Sequence, residues 1–480
     1  MLTFEGNLLV RAFGAAGADL LFPVGILIAM LVSVHVLLNQ RDAGTAMGWM
    51  GLTWLSPFVG GALYALFGVN RVNRRAREVR HDGFAPRRDD DAPALPASCP
   101  QLAPLAQAGA RITGRALLAG NEVEVLRCGD EAYPVMLDAI RGARRSVALA
   151  TYILRDDAAG GAFIDALIAA KGRGVQVRVL IDGIGSGYFY SAASHRLSRS
   201  RVPVGRFMHS PLPWRMPFLN LRTHMKVLVA DGQVGFAGGL NIGAENVLAG
   251  GPRHPVRDTH FRLRGPAVGQ LVEAFAMDWS FVKGEELSGE AWFPALDAAG
   301  PDAGRVVTSG PDADIQKTEF LILEAVGRAC RSVRIQTPYF LPDERLVTAL
   351  ALASLRGVAV DVVVPVRNNH FFMDWALRAN VGPLLWHGCR IWLDAPPFDH
   401  SKLMVVDDVW CLIGSANWDA RSFRLNFELN VEIYSSALAR QLTEMMAARE
   451  GVPLTADMLD ARSLPVRLRD AAVRLLLPYL

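Results

Sequence analysis

Cysteine is scarce in this chain: its 480 residues hold five, Cys99, Cys128, Cys330, Cys389 and Cys411, an odd number with no CxxC pair and no metal-like clustering. That excludes a disulfide scaffold and a cysteine-built metal site, and reads as reduced packing residues of a cytosolic domain. An excess of either charge is also missing, with 50 Lys and Arg against 47 Asp and Glu. A protein dedicated to the nucleic-acid backbone carries a basic surface, so nucleic acid is not an expected partner. Polar groups are nearly absent from Leu20 to Leu38, where only His35 interrupts near the end. A run of this length spans a bilayer core.

A second apolar run, Ala46 to Val69, holds Trp49, Trp54, Pro57 and the Gly60-Gly61 pair. Membrane helices tolerate such breakers when neighbours satisfy the freed backbone. Residues 1–80 are therefore predicted to form a membrane anchor of two transmembrane helices. A cleaved leader is disfavoured, because the start has little positive charge and a second apolar run follows too soon. Arg71, Arg74, Arg75, Arg77 and Arg80 crowd behind the second run, against Arg41 offset by Asp42 in the connection. The positive side stays in the cytoplasm, so both termini and the rest of the chain are expected there, on a bacterial inner membrane. The same arginines also suit anionic head groups. Residues 81–110, rich in Pro, Ala and Asp, read as a flexible tether.

The length exceeds one ordinary core, and beyond the tether the pattern repeats. In the first half a helix is predicted from Tyr133 to Ala143, a strand from Ser146 to Leu154, a helix from Gly161 to Lys171 and a strand from Val175 to Asp182. Ser332 to Leu341, Arg345 to Arg356 and Gly357 to Pro365 repeat strand, helix and strand. Each series leads to the same octapeptide: His224–Asp231 (HMKVLVAD) with Gly238, Gly239 and Asn241 behind it, and His400–Asp407 (HSKLMVVD) with Gly414, Ser415 and Asn417. One His-x-Lys in an apolar strand is more often a structural histidine; two complete copies are a duplicated site. Alternation puts His and Lys on one face, where an ammonium neutralises a phosphate oxygen while an imidazole attacks or protonates.

HxKxxxxD followed by a Gly-rich turn and Asn, twice in one chain, resembles the phospholipase D superfamily, and the contexts after Gly238 and Gly414 are similar to bacterial cardiolipin synthase. The resemblance covers essentially the whole chain. It implies an α/β fold of two repeated α/β/α lobes, residues 111–300 and 301–480, forming a pseudo-dimer around a shared cleft. It implies a phosphatidyltransferase that joins two phosphatidylglycerols into cardiolipin and releases glycerol through a phosphohistidine, with no cofactor and no metal. A phospholipase D-type hydrolase is the alternative, and a nuclease of the same fold is disfavoured by the spans and the charge balance.

By the same resemblance His224, Lys226, Asp231, His400, Lys402 and Asp407 form the catalytic motifs, with His224 the favoured nucleophile. Lys226, Lys402, Asn241, Asn417 and the Ser415 hydroxyl are the candidates for holding the phosphate oxygens. Asp231 and Asp407, at odd offset from the histidines, point away and serve as strand-end hydrogen-bonding residues. Asp258 and Glu428, on the strands that follow, suit orientation of the histidine rings. Phospholipid partners are expected: phosphatidylglycerol, with phosphatidylethanolamine as a possible second substrate.

Thr223, Met225 and Ala150 replace residues more often polar, basic or acidic in the family, and Gly239 replaces the serine seen at 415. The segment Ser186–Leu221, with Arg199, Arg201, Arg206, Trp214 and Arg215, reads either as a phosphate entrance or as a solvated basic loop. His370–Ala379 (HFFMDWALRA) reads either as core or as an acyl-chain contact.

Overall fold

A computed structural model describes residues 15–40, 43–68, 95, 100–209, 221–311 and 314–475. Arg71 to Arg80, most of the tether, and Trp214 with Arg215 lie outside the described residues. The chain forms two compact units, Met1–Glu78 and Val79–Leu480.

In the first unit Ala15–Asn39 is helical, and Leu21–Asn39 is, among the described residues, the one helix long and apolar enough to cross a membrane. The second apolar run is not one unbroken helix. Ala43–Leu55 stops at Ser56, whose φ of −146° leaves the helical region; Pro57–Leu63 resumes, and Tyr64–Gly68 widens into a π turn. Pro57 disfavours helical backbone at the residue before it, and at Ser56 the run bends. The run closes on the first helix, where Tyr64 meets His35 Nδ1 at 2.7 Å, and within the run Tyr64 packs edge-on against Trp49.

The second unit is built on a 16-stranded mixed sheet. At its centre Leu118–Arg127 pairs antiparallel with Asp302–Ser309. Outward on the first-half side run Thr259–Arg264, Val234–Gly238, Val227–Ala230, Ser146–Thr151, Gln176–Asp182 and Val204–Phe207. On the other side run Asn426–Tyr434, Trp410–Gly414, Leu403–Val406, Ser332–Gln336, Ala359–Pro365, Arg390–Asp394 and Val452–Leu454.

Alternation along the strands feeds separate cores. Val147 and Leu149 enter a first-half core, while Ala148 and Ala150 enter one that also takes Val405, Ile413 and Val431 from the second half. The helices Ala267–Lys283 and Ser436–Ala447 cover that shared face through Leu271, Phe275, Leu438 and Leu442.

The predicted helices and strands are present with shifted ends. The first helix starts earlier, at Cys128, and the strand from Ser146 stops at Thr151. The Ser332 strand breaks after Gln336, ahead of Pro338, and resumes as Phe340–Leu341. The tether ends sooner than expected: Ala103–Thr113 is a helix whose Leu105 and Ala106 sit in the second-half core. Arg305, fully buried and ion-paired with Glu432, donates to Ala106 O at 3.1 Å and fixes that helix to the sheet.

Candidate active site

Both octapeptides depart from the single strand their alternation suggests. Arg222–Thr223 pairs in parallel with Asn426 and Phe427 of the other half, and the His224 N–H donates to Phe427 O at 2.8 Å. Only from Val227 does the chain join its own half's sheet. The second copy does the same: Phe398–Asp399 pairs with Val256–Arg257, His400 N–H donates to Arg257 O at 2.8 Å, and Leu403 starts the sheet strand. Each His-x-Lys tripeptide is thus the crossover between two pairings, and its histidine rests on the opposite half. Arg257 reinforces the junction through a buried ion pair with Asp394 at 2.7 Å.

The crossing decides which carboxylate serves which ring. His224 Nδ1 donates to Glu428 Oε2 at 2.9 Å, and His400 Nδ1 donates to Asp258 Oδ2 at 2.8 Å. Asp258 and Glu428 were legible as candidates; their exchange between halves was not. Holding Nδ1 fixes the tautomer and leaves Nε2 of each ring for chemistry. The ring centres are 6.4 Å apart at 81°, and both rings line one cavity of about 890 Å³.

Both lysines are buried, and each ammonium donates to its own histidine's carbonyl, Lys226 at 2.6 Å. Burial lowers Lys226 to about 7 and Lys402 to about 8, with Glu428 and Asp258 respectively opposing. Burial and the neighbouring ammonium of Lys402 bring His400 to about 3; burial, Lys226 and Lys402 hold His224 well below its ordinary value. Burial lifts Glu428 to about 7 against the pull of Lys226. Burial also pushes Asp258 up, but the His400 hydrogen bond and the Lys402 charge outweigh it and keep it below the usual range. The site is short of negative charge: an anionic phosphodiester between the rings supplies what both lysines and one of the two imidazoles need to hold protons.

Among the predicted phosphate holders, Asn241 and Asn417 line the cavity, while Ser415 and the two lysines do not. The Ser415 hydroxyl donates to Glu428 Oε2 at 2.5 Å and accepts from Leu429 N–H, so its work is to steady that carboxylate. Asn241 Oδ1 accepts from Ile153 N–H at 3.2 Å, whereas Asn417 Oδ1 is buried with no partner among the described residues.

Asp231 and Asp407, though members of the two motifs, do not line the cavity. Each occupies a turn at positive φ and accepts three backbone N–H groups, those of Arg144, Arg145 and Ser146 or of Cys330, Arg331 and Ser332. They tie the motif strand to the first strand of their half, as their odd offset predicts.

The cavity also holds residues that motif reading missed. Tyr152 and Tyr339 follow the first strand of each half and stand edge-on to the nearest histidine, 5.1 and 6.4 Å between ring centres. Their repeated place after Thr151 and Thr337 was the available signal. Arg222, Arg253 and Arg421 add positive charge to the wall. Asp419, lifted to about 6 by burial, caps the Ala420–Arg424 turn through the Ser422 N–H.

A model of the cardiolipin synthase phospholipase D-like domain matches residues 136–279 and 322–449, the two segments that carry the paired motifs. The chain belongs to this family. Relatives in it include the major cardiolipin synthase of Bacillus subtilis (strain 168), 31% identical over 96% of this chain and 98% of that one. The cardiolipin synthase of Geobacillus thermodenitrificans (strain NG80-2) is 30% identical over 100% and 98%. Among solved structures, the phosphatidylserine synthase of Haemophilus influenzae Rd KW20 shares the fold, with a TM-score of 0.62 at 17% identity, covering 78% of this chain and 100% of that chain.

Proposed function

We propose that this chain is a membrane-anchored cardiolipin synthase that transfers the phosphatidyl group of one phosphatidylglycerol to another. The observation that carries the reading is the pair of histidines, each with Nδ1 committed to a carboxylate and both lining one cavity beside two buried lysines. The two sequence halves, 111–300 and 301–480, act as the lobes of a pseudo-dimer with one composite site.

His224 Nε2 attacks phosphorus; the P–O bond to the glycerol head group breaks as an N–P bond forms, and His400 gives its proton to the departing alkoxide. Asp258, held anionic, suits His400 to carry that proton. In the return step a hydroxyl of the second phosphatidylglycerol passes its proton to His400 and attacks phosphorus, and the N–P bond breaks. Lys226, Lys402 and the Asn241 and Asn417 side chains steady the phosphoryl oxygens as charge builds on them. Water in place of the second lipid gives phosphatidic acid, so transfer depends on holding the acceptor and keeping water scarce.

Residues 1–80 anchor the enzyme: Leu21–Asn39 crosses the bilayer and the bent second run returns, with Arg71 to Arg80 keeping the catalytic part on the cytoplasmic face of the inner membrane. The test is the product profile of purified protein in phosphatidylglycerol vesicles, with and without phosphatidylethanolamine, beside His224→Ala and His400→Ala. Cardiolipin with stoichiometric glycerol, lost in both variants, supports the transferase. Phosphatidic acid alone supports a hydrolase, and turnover surviving both substitutions overturns the paired-histidine mechanism.

A further inference from the structure

The helix Leu464–Leu475 carries an apolar stripe on its outer side. At about 100° per residue, Leu464, Leu468 and Leu475 fall within roughly 40° of one another. They are 67%, 61% and 72% exposed. The opposite side holds the helix to the protein: Asp470 is fully buried against Arg462, and Val473 packs on the second-half core. Such a helix has one apolar face for the fold and another with no occupant among the described residues.

Its neighbour is the helix Phe371–Asn380. Arg474 donates to Ala379 O at 3.3 Å, and the Arg469 guanidinium lies 4.0 Å from the ring centre of Trp375. Trp375 touches Phe371, which is 63% exposed, and the same helix gives Phe372 and Met373 to the cavity wall. One helix therefore joins the stripe to the reaction cavity. Arg467, Arg469 and Arg474, all exposed, flank the leucines.

We propose that Leu464–Leu475, with the Phe371 end of its neighbour, lies in the head-group layer of an anionic phospholipid bilayer, its leucines among acyl chains and its arginines on phosphates. This rests on the lipid-transferase reading and adds to it the surface through which the cavity takes its substrate from the membrane. A basic border around leucines favours anionic lipid over a second copy, whose arginines would meet these across a two-fold. One helical stripe is also far short of the ~800 Å² per partner of a stable protein interface.

The test uses full-length protein and two substrate forms: phosphatidylglycerol vesicles and monomeric short-chain phosphatidylglycerol. The substitutions Leu464→Gln, Leu468→Gln and Leu475→Gln together are expected to cut vesicle turnover about tenfold while leaving short-chain turnover within about twofold. Arg467→Gln with Arg474→Gln is expected to cut vesicle turnover less and to weaken its salt dependence. Independently of turnover, phosphatidylglycerol with a photoreactive acyl chain should cross-link to residues 464–475. Equal loss on both substrate forms, absence of those cross-links, or a stripe variant that changes oligomer mass but not vesicle turnover would each overturn the proposal. Glycerol release from short-chain lipid by the unmodified protein tests the transferase reading separately.

Discussion

The two half-sites perform the same task with different parts. In one, His400 leans on Asp258, and Gly239 stands opposite; a Cβ there would lie 2.3 Å from Asp258 Oδ1, so the short carboxylate uses the space that glycine leaves. In the other, His224 leans on the longer Glu428, which Ser415 and Asn426 hold by hydrogen bonds at 2.5 and 3.0 Å. Gly with Asp and Ser with Glu are two solutions to one distance. The halves are therefore not interchangeable residue by residue, and their electrostatics diverge, with Asp258 kept anionic and Glu428 lifted to about 7.

The largest break in this comparison is the carboxylates themselves. Asp258→Asn and Glu428→Gln should each lower the kcat of cardiolipin formation by about 10³- to 10⁴-fold with unchanged circular dichroism, since each presents the wrong tautomer to its histidine. Glu428→Asp should not rescue, because Ser415 and the strand leave the shorter side chain out of reach of Nδ1.

Exchanging the small residues sharpens the difference. Gly239→Ser drives a side chain into Asp258 and should cost about 10²-fold in kcat. Ser415→Gly only frees Glu428 and should cost about tenfold. Equal losses would mean that the two half-sites are alike after all.

The motif aspartates should behave alike in both halves. Asp231→Asn and Asp407→Asn each weaken a turn that accepts three N–H groups, and should cost about 1.5–3 kcal/mol of stability, read as a lower Tm, with kcat nearly unchanged. A collapse of kcat at full Tm would return these residues to the chemistry.

The smallest effect is on pH. Burial lowers Lys226 and Lys402 in the free enzyme, and a bound phosphate's negative charge should raise both. Below about pH 7 the lysines already hold their protons; above it binding must return one to Lys226, and above about pH 8 one to Lys402 as well. The rate constant kcat/KM should fall on the alkaline side with an apparent pKa near 7 and more steeply above about 8, while kcat, read with lipid bound, holds to higher pH.

Much of this was legible in the sequence, because period and repetition report faces and order. The repeated strand-helix-strand series, the two histidines and the outward turn of Asp231 and Asp407 all follow from spacing. Partners do not. Nothing in HMKVLVAD says that the chain leaves one sheet for another at residues 224–226, so the Glu428 to His224 pairing stayed hidden. Ser415 looked like a phosphate donor because a hydroxyl beside Asn417 is one in isolation; only packing shows it spent on Glu428. The helix Ala103–Thr113 vanished into a Pro- and Ala-rich tether, since its apolar face is completed by residues some 200 positions away.

The crossed pairing is tested most directly with a phosphatidyl ester of p-nitrophenol, whose leaving group departs without a general acid, by following the pre-steady-state burst. Asp258→Asn, which of the two rings disturbs His400, should keep the burst, and Glu428→Gln, which disturbs the attacking His224, should lose it. The reverse pattern, with the burst lost on changing Asp258 and kept on changing Glu428, would contradict the exchange of carboxylates between halves or the assignment of attack to His224.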